Sequence, residues 1–106
     1  MSDTMPGGQC MFFAYKEVLI NGGTLVHGVV TNPWDKRKFW HAWIEKGGQM
    51  TDWQRQQGAR LADQGPWVAK SWFYKIWKPT RVKRYTAKQA ADKRRIYHHV
   101  GPWTKS

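Results

Sequence analysis

The chain contains one cysteine, Cys10, and two later residues whose types could form a thiol-based reaction site with it. His41 lies in residues 39–45, which have strand character, and Asp52 follows in the short segment 49–53. A thiol at the start of a helix, a histidine on one strand and an acid on the next supply a nucleophile, its base and the group that orients the base. The pattern predicts cysteine-dependent acyl chemistry with Cys10, His41 and Asp52 as catalytic residues.

Each of these residues also has a structural interpretation: a small buried thiol, a core histidine on a half-buried strand and a surface acid. The positions of the three residues favour the catalytic interpretation over the structural one. The pair Gly47-Gly48 predicts a tight hairpin turn, which brings position 52 opposite position 43 and so within a residue or two of His41. A cysteine in the first turn of a helix also has its thiolate favoured, and free backbone N–H groups there can bind an oxyanion.

The elements that must position these residues follow from hydrophobic spacing and turn residues. In chain order we predict a helix at 9–21, strands at 25–31, 39–46 and 49–53, a weakly helical segment at 54–65, strands at 67–78 and 82–85, and a helix at 86–99. Thr86 and Gln89 form a predicted capping box. The fold class is α+β, with the N-terminal helix packed on a small antiparallel sheet and a basic C-terminal helix. We expect one domain over 1–106, with 1–9 as a flexible lead-in.

Several short motifs resemble the compact transglutaminase-like or papain-like cysteine fold over residues 7–53. They are Gly-Gln-Cys at 8–10, Leu-Val-His-Gly at 25–28, His-Ala-Trp-Ile-Glu at 41–45, Gly-Gly at 47–48, and Asp52. The resemblance implies Cys10 as nucleophile, His41 as base and Asp52 as the orienting acid, with a protein or peptide substrate. Gln9 is an auxiliary candidate for the oxyanion, although the papain-type glutamine stands several residues before the cysteine. His27 is an alternative base, although no acid closely follows it.

A metal site is the other chemistry open to these residue types. Cys10, His27, His41 and Asp52 could in principle bind zinc, but the sequence lacks paired ligands at short spacing. His98 and His99 point about 100° apart on a helix and are poorly placed to share one ion. We therefore predict neither a metal nor another cofactor.

The charge of the chain is concentrated in its C-terminal part. The formal net charge is +11, and residues 70–106 hold eleven Lys or Arg against Asp92 alone. Aromatic residues between these cations give the composition of a nucleic-acid surface, and equally that of a core strand with outward lysines. The candidate anion-binding residues are Lys70, Lys75, Lys78, Arg81, Lys83, Arg84, Lys88, Arg94 and Arg95. An acidic protein surface is the other expected partner.

No run approaches the 18 apolar residues of a membrane span, and the N-terminal segment lacks the features of a secretion signal. A free thiol then indicates a cytoplasmic protein. The leading hypothesis is a small cysteine hydrolase or acyltransferase acting on an amide or ester bond. The alternative is a non-catalytic basic module that binds nucleic acid or an acidic protein. Small size and high charge also suit a phage or mobile-element effector.

Overall fold

A five-stranded antiparallel sheet organises the chain in the order β4-β3-β2-β1-β5. The computed structural model describes residues 6–62 and 66–103, with side chains described at 9–57 and 66–103. The elements are α1 (Pro6–Asn21), β1 (Thr24–Thr31), β2 (Lys38–Lys46), β3 (Gln49–Thr51), α2 (Trp53–Ala62), β4 (Val68–Ala69), α3 (Lys70–Trp77), β5 (Thr80–Tyr85) and α4 (Ala87–Tyr97). The predicted α+β class, with a helix on an antiparallel sheet, is confirmed.

The two faces of the sheet carry separate hydrophobic cores. Along β2, Ala42 and Ile44 are buried with the α1 residues Met11, Ala14 and Val18. The alternate residue Trp43 is buried on the opposite face with the α3 residue Phe73 and with other side chains of the sheet. Because successive side chains of a strand point to opposite faces, β2 is covered by helix on both sides.

Strand β2 is paired along its whole length on one side only. Its partner β1 covers it from Lys38 to Lys46, whereas β3 pairs only with Ile44, Glu45 and Lys46. The pair Gly47 and Gly48 makes the turn of this short hairpin, and both have positive φ, which favours glycine. Among the described residues, the first two-thirds of β2 therefore have no strand partner on the β3 side and present a free edge there.

Two predictions about local structure were wrong. Residues 67–78 are a two-residue strand followed by the helix α3, because Phe73, Tyr74 and Trp77 lie on one helical face that packs into the core. The N-terminal helix begins at Pro6, so residues 6–9 are helical where a lead-in was expected. Pro is favoured at the first helical position, since its missing N–H has no partner to lose there. Residues 1–5 of that lead-in lie outside the described residues.

The C-terminal helix follows its predicted start. The Thr86 hydroxyl accepts a hydrogen bond from the Gln89 backbone N–H at 3.1 Å, and the Gln89 side chain accepts one from the Thr86 N–H at 2.9 Å. The reciprocal pair satisfies two backbone donors that the helix itself leaves free. Within the described parts of the chain, no helix has the length and apolar character needed to cross a membrane.

Candidate active site

A buried hydrogen bond joins His41 to Asp52. The Nε2 atom of His41 lies 2.9 Å from the Oδ2 atom of Asp52, and each residue is 2 % exposed. Asp52 directly follows β3, whose last pair is Ile44 with Thr51, so the hairpin register brings Asp52 alongside Trp43. Its second oxygen, Oδ1, accepts a hydrogen bond from the Arg55 N–H at 2.8 Å and fixes the carboxylate at the start of α2.

His41 lies at the free edge of β2 and is held by aromatic neighbours. Its ring stacks on Trp43 at 5.9 Å between centroids, and Phe39 contacts it edge-on at the same separation. Phe73 from α3 contacts it at 6.4 Å. Because Nε2 is engaged by Asp52, the orientation of the imidazole is fixed and Nδ1 is the nitrogen left for another group.

The Cys10 thiol is close enough to the imidazole of His41 to raise the pKa of that ring. Burial lowers the pKa of His41, but the hydrogen bond to Asp52 and the interaction with Cys10 outweigh burial and raise this pKa to about 9. Nδ1 itself has no hydrogen-bond partner of standard geometry among the described residues. The nucleophile candidate and the acid therefore act on one imidazole, and the acid occupies Nε2.

Asp52 stays ionised in this pair. Burial raises the pKa of its carboxyl group, yet the hydrogen bond and charge of His41 and the Arg55 N–H together hold that pKa below its ordinary value. A carboxylate next to an imidazolium is a neutral pair, which is the form in which two charges are tolerated in a buried site.

Cys10 occupies the second turn of α1, not the first. The helix starts at Pro6, so Cys10 is its fifth residue and its own N–H belongs to the i to i−4 hydrogen-bond ladder. The expectation that free N–H groups at Cys10 bind an oxyanion is therefore wrong. The unpaired N–H groups of this helix belong to residues earlier in the chain.

A groove lies next to this group along the outer face of α1. It has a volume of about 330 Å³. Phe12 and Ile20 in its wall are 53 % and 71 % exposed, which is high for large apolar side chains. The lining residues are Gln9, Phe12, Phe13, Lys16, Glu17, Ile20 and Trp53. Because Gln9 precedes Cys10 and Trp53 follows Asp52, one end of the groove lies near the candidate catalytic residues. The thiol itself is 2 % exposed, so a reagent reaches it only when the surrounding chain moves.

The two auxiliary candidates lie in different places. Gln9 is exposed and lines the groove, beside Cys10 in the helix. His27 pairs with Ala42 across the β1–β2 ladder and so lies on the sheet face opposite His41, where it packs against Tyr85 and Trp103. The structure does not bring His27 to the Cys10 group.

The possible zinc ligands do not converge either. Among the residues the structure describes, no three His, Cys, Asp or Glu side chains are grouped so as to hold a metal ion. Asp52 contacts Nε2 of His41 while Nδ1 is the nitrogen left over, and two ligands on opposite sides of one ring cannot share an ion with it.

A second buried acid, Glu45, is absent from the site residues predicted from the sequence. Its Oε2 accepts hydrogen bonds from Trp43 Nε1 at 3.0 Å and from the Tyr74 hydroxyl at 2.6 Å. Arg84 Nε donates to Oε1 at 3.1 Å, and Lys70 Nζ lies 3.8 Å from the same oxygen. This network ties β2 to α3 and β5. An acid inside an apolar strand segment is the signal that could have revealed it.

The nine candidate anion-binding residues divide into two groups. Lys70 and Arg84 are paired with Glu45, and Lys88 and Arg95 with Asp92. The other five are surface or near-surface cations with no ion pair in the described regions: Lys75, Lys78, Arg81, Lys83 and Arg94. Lys75 belongs to the helix α3 and not to the strand predicted over 67–78, and it is exposed there.

Comparison with known proteins gives no significant match for this chain among protein-family models, curated proteins or solved structures.

Proposed function

We propose that this protein is a small cysteine hydrolase or acyltransferase that acts on an amide or ester bond. The observation that supports it is the 2.9 Å contact between His41 Nε2 and Asp52 Oδ2, with the Cys10 thiol interacting with the same imidazole. In that arrangement an acid fixes the ring and leaves Nδ1 to exchange a proton with the thiol. The resemblance of residues 7–53 to transglutaminase-like and papain-like domains supports the same roles.

The reaction runs in two steps on these groups. In the first, the Cys10 sulfur attacks the carbonyl carbon as a thiolate beside the His41 imidazolium, and the bond to the leaving group breaks as that group takes the proton from Nδ1. The product is a thioester on Cys10. In the second step water or an amine gives a proton to Nδ1 of His41 and attacks the thioester, the carbon–sulfur bond breaks, and the thiolate beside the imidazolium is restored. Asp52 stabilises the imidazolium formed each time.

The substrate we propose is an extended peptide with apolar side chains, lying in the groove along α1. From Gln9 to Ile20 the helix rises about 16 Å, which matches about five residues of extended chain. Phe12 and Ile20 supply exposed apolar contacts. A free thiol of this kind is suited to a reducing compartment such as the cytoplasm.

The first test is alkylation of Cys10 by iodoacetamide at pH 6.5 under native conditions. A thiol activated by His41 reacts faster than the cysteine of an unstructured peptide, because only the thiolate is nucleophilic. Changing His41→Gln should slow the reaction about a hundredfold, as expected for loss of a general base. The matched control is His98→Asn, a histidine at the exposed end of α4, which should leave the rate unchanged. A rate below that of the peptide, rising when urea is added, identifies Cys10 as an inert core residue and refutes the proposal.

The second test asks for the covalent intermediate. An activated ester such as p-nitrophenyl acetate should give a burst of p-nitrophenol, and mass spectrometry should locate the acetyl group on Cys10. Asp52→Asn should slow the burst, and Cys10→Ser should abolish it. Acetylation of lysines alone, with the same rate in Cys10→Ser, would contradict the mechanism.

We propose binding of nucleic acid or of an acidic protein surface as a second candidate function. It is supported by the five cations without an ion pair in the described regions. Retention on heparin or affinity for DNA should fall at least a hundredfold between about 50 and 200 mM salt, since each neutralised phosphate releases counterions. Retention that does not respond to salt, or its absence at the lower salt, would leave these cations as solvated surface charge.

A further inference from the structure

A second pocket, separate from the Cys10 group, opens beside β1 and β5. Its volume is about 220 Å³, below the usual range for drug-sized ligands, so it suits a molecule of one or two rings. It is lined by His27, Trp40, Arg81, Lys83, Tyr85, Pro102 and Trp103. Besides His27, three of these residues are aromatic, two are Arg or Lys, and none is acidic.

His27 in the wall of this pocket is a buried polar side chain that no described residue hydrogen-bonds. It is 1 % exposed, and neither Nδ1 nor Nε2 has a hydrogen-bond partner among the described residues. A buried polar group left unpaired costs about 1–3 kcal/mol, so such groups are rare and require a reason. Burial, with the nearby His99 adding to its effect, lowers the pKa of His27 to about 4. At neutral pH the ring is therefore neutral, with one N–H to donate.

The apolar walls of the pocket are built around the same ring. The Tyr85 and Trp103 rings lie 5.3 and 5.0 Å from the His27 ring, and 5.1 Å from each other. Trp103 is held by a hydrogen bond from its Nε1 to the His99 carbonyl at 2.9 Å. Gly101 has a φ of +112°, and a Cβ there would overlap the His27 ring, so only glycine permits this close packing. These contacts preform an aromatic slot, whose three rings stand at angles of 42° to 88° to one another.

Two cations stand on the same side of β5 as this slot. Lys83 pairs with His27 in the β1–β5 ladder, and a bulge separates that pair from the pair Val29 with Thr80. Arg81 lies in this bulge with a φ of +55°, a conformation that costs energy for a residue other than glycine. Both side chains are exposed and neither has an acidic partner in the described residues. Strained backbone and bulges are often found next to functional sites.

We infer that this pocket binds a small aromatic carboxylate, with its ring between Trp40 and Trp103 and its carboxylate on Arg81 and Lys83. The planar guanidinium of Arg81 matches a carboxylate in two parallel hydrogen bonds, and Lys83 adds a second charge. The His27 ring supplies a hydrogen bond at the buried end and gains a partner, which no described residue provides. The inference does not depend on the reactivity of Cys10.

The test compares indole-3-carboxylate with indole-3-carboxamide, which has the same shape but no charge. In ¹H–¹⁵N spectra the carboxylate should shift the indole N–H signals of Trp40 and Trp103 and the ring nitrogens of His27. Its affinity should exceed that of the carboxamide at least tenfold, as expected for a charge-assisted contact with two cations. In a protein carrying both Arg81→Gln and Lys83→Gln, the two compounds should bind equally.

The control removes the same charge elsewhere on the surface. A protein carrying Lys75→Gln and Arg94→Gln should keep the full preference for the carboxylate, because neither residue lines the pocket. Equal affinity of the two compounds for the wild-type protein would overturn the inference. So would the same loss of preference in both double variants, or the absence of binding at millimolar ligand.

Discussion

The pairing of His41 with Asp52 predicts that the free energy of unfolding falls as the pH rises into the alkaline range. The pKa of His41 is raised from 6.5 to about 9 in the folded protein. Below pH 6.5 both the folded and unfolded states hold the His41 proton, so its stabilising effect is fully present. Between pH 6.5 and about 9 the unfolded state loses this proton while the folded state keeps it, and above about 9 the stabilisation is gone.

The size of this effect follows from the pKa difference. A rise in the pKa of His41 from 6.5 to about 9 corresponds to roughly 3 kcal/mol of the free energy of unfolding. Since small domains are stable by only about 5–15 kcal/mol, the loss should be easily measured. The assay is urea denaturation followed by tryptophan fluorescence between pH 6.5 and 9.5, a range below the ordinary titration of tyrosine and lysine.

Variants assign the alkaline loss to this pair. His41→Gln should be less stable than wild type at pH 6.5 and should lose little further stability up to pH 9.5. Cys10→Ser removes the only thiol from the titration and should keep most of the loss, because the bond to Asp52 is the largest influence raising the pKa of His41. A wild-type stability that stays level over this range, or the same slope in His41→Gln, would refute the assignment of an imidazolium to the site.

Three further predictions concern other parts of the fold. Because the pKa of His27 is lowered to about 4 in the folded protein, the unfolded state takes up a proton at this residue first as the pH falls. The free energy of unfolding of the wild type should therefore fall by roughly 3 kcal/mol between pH 6.5 and 4, and that of His27→Phe should not show this loss. Glu45→Gln should lower the free energy of unfolding, measured by urea denaturation, by about 3 kcal/mol. The surface change Glu17→Gln should lower it by under about 0.5 kcal/mol. Equal losses in the two variants would mean that the Glu45 network contributes nothing to stability. Thr86→Ala should cost about 1 kcal/mol and fray the start of α4 in hydrogen exchange, and unchanged protection there would contradict the capping role.

The parts of the fold that were predicted correctly rest on contacts between residues close in the chain. The Thr86 capping box joins two residues three positions apart, and the hairpin at Gly47-Gly48 needs only residues with positive φ in a two-residue turn. The same hairpin register places Asp52 near His41, which is why these two residues could be paired from the sequence.

The strand prediction for residues 67–78 was wrong because their hydrophobic side chains fit both the period of a strand and the period of a helix. Trp72, Tyr74 and Ile76 alternate as on a strand, while Phe73 and Trp77 recur at helical spacing and stack at 6.3 Å. Whether this segment forms a strand or a helix depends on the surface against which it packs. The face of the sheet that carries Trp43 is open to a helix, and a helical face buries Phe73 fully there.

The sequence by itself determined the residue types, the order of the main elements and the local turns and caps, since these depend on short-range hydrogen bonding and spacing. Tertiary structure alone decided that the Cys10 thiol meets His41 at the free edge of β2, that His27 lies on the other face, and that Glu45 gathers partners from α3 and β5. The physical reason is that such contacts join residues far apart in the chain. Their formation depends on the packing of whole helices against the sheet, which no short segment specifies.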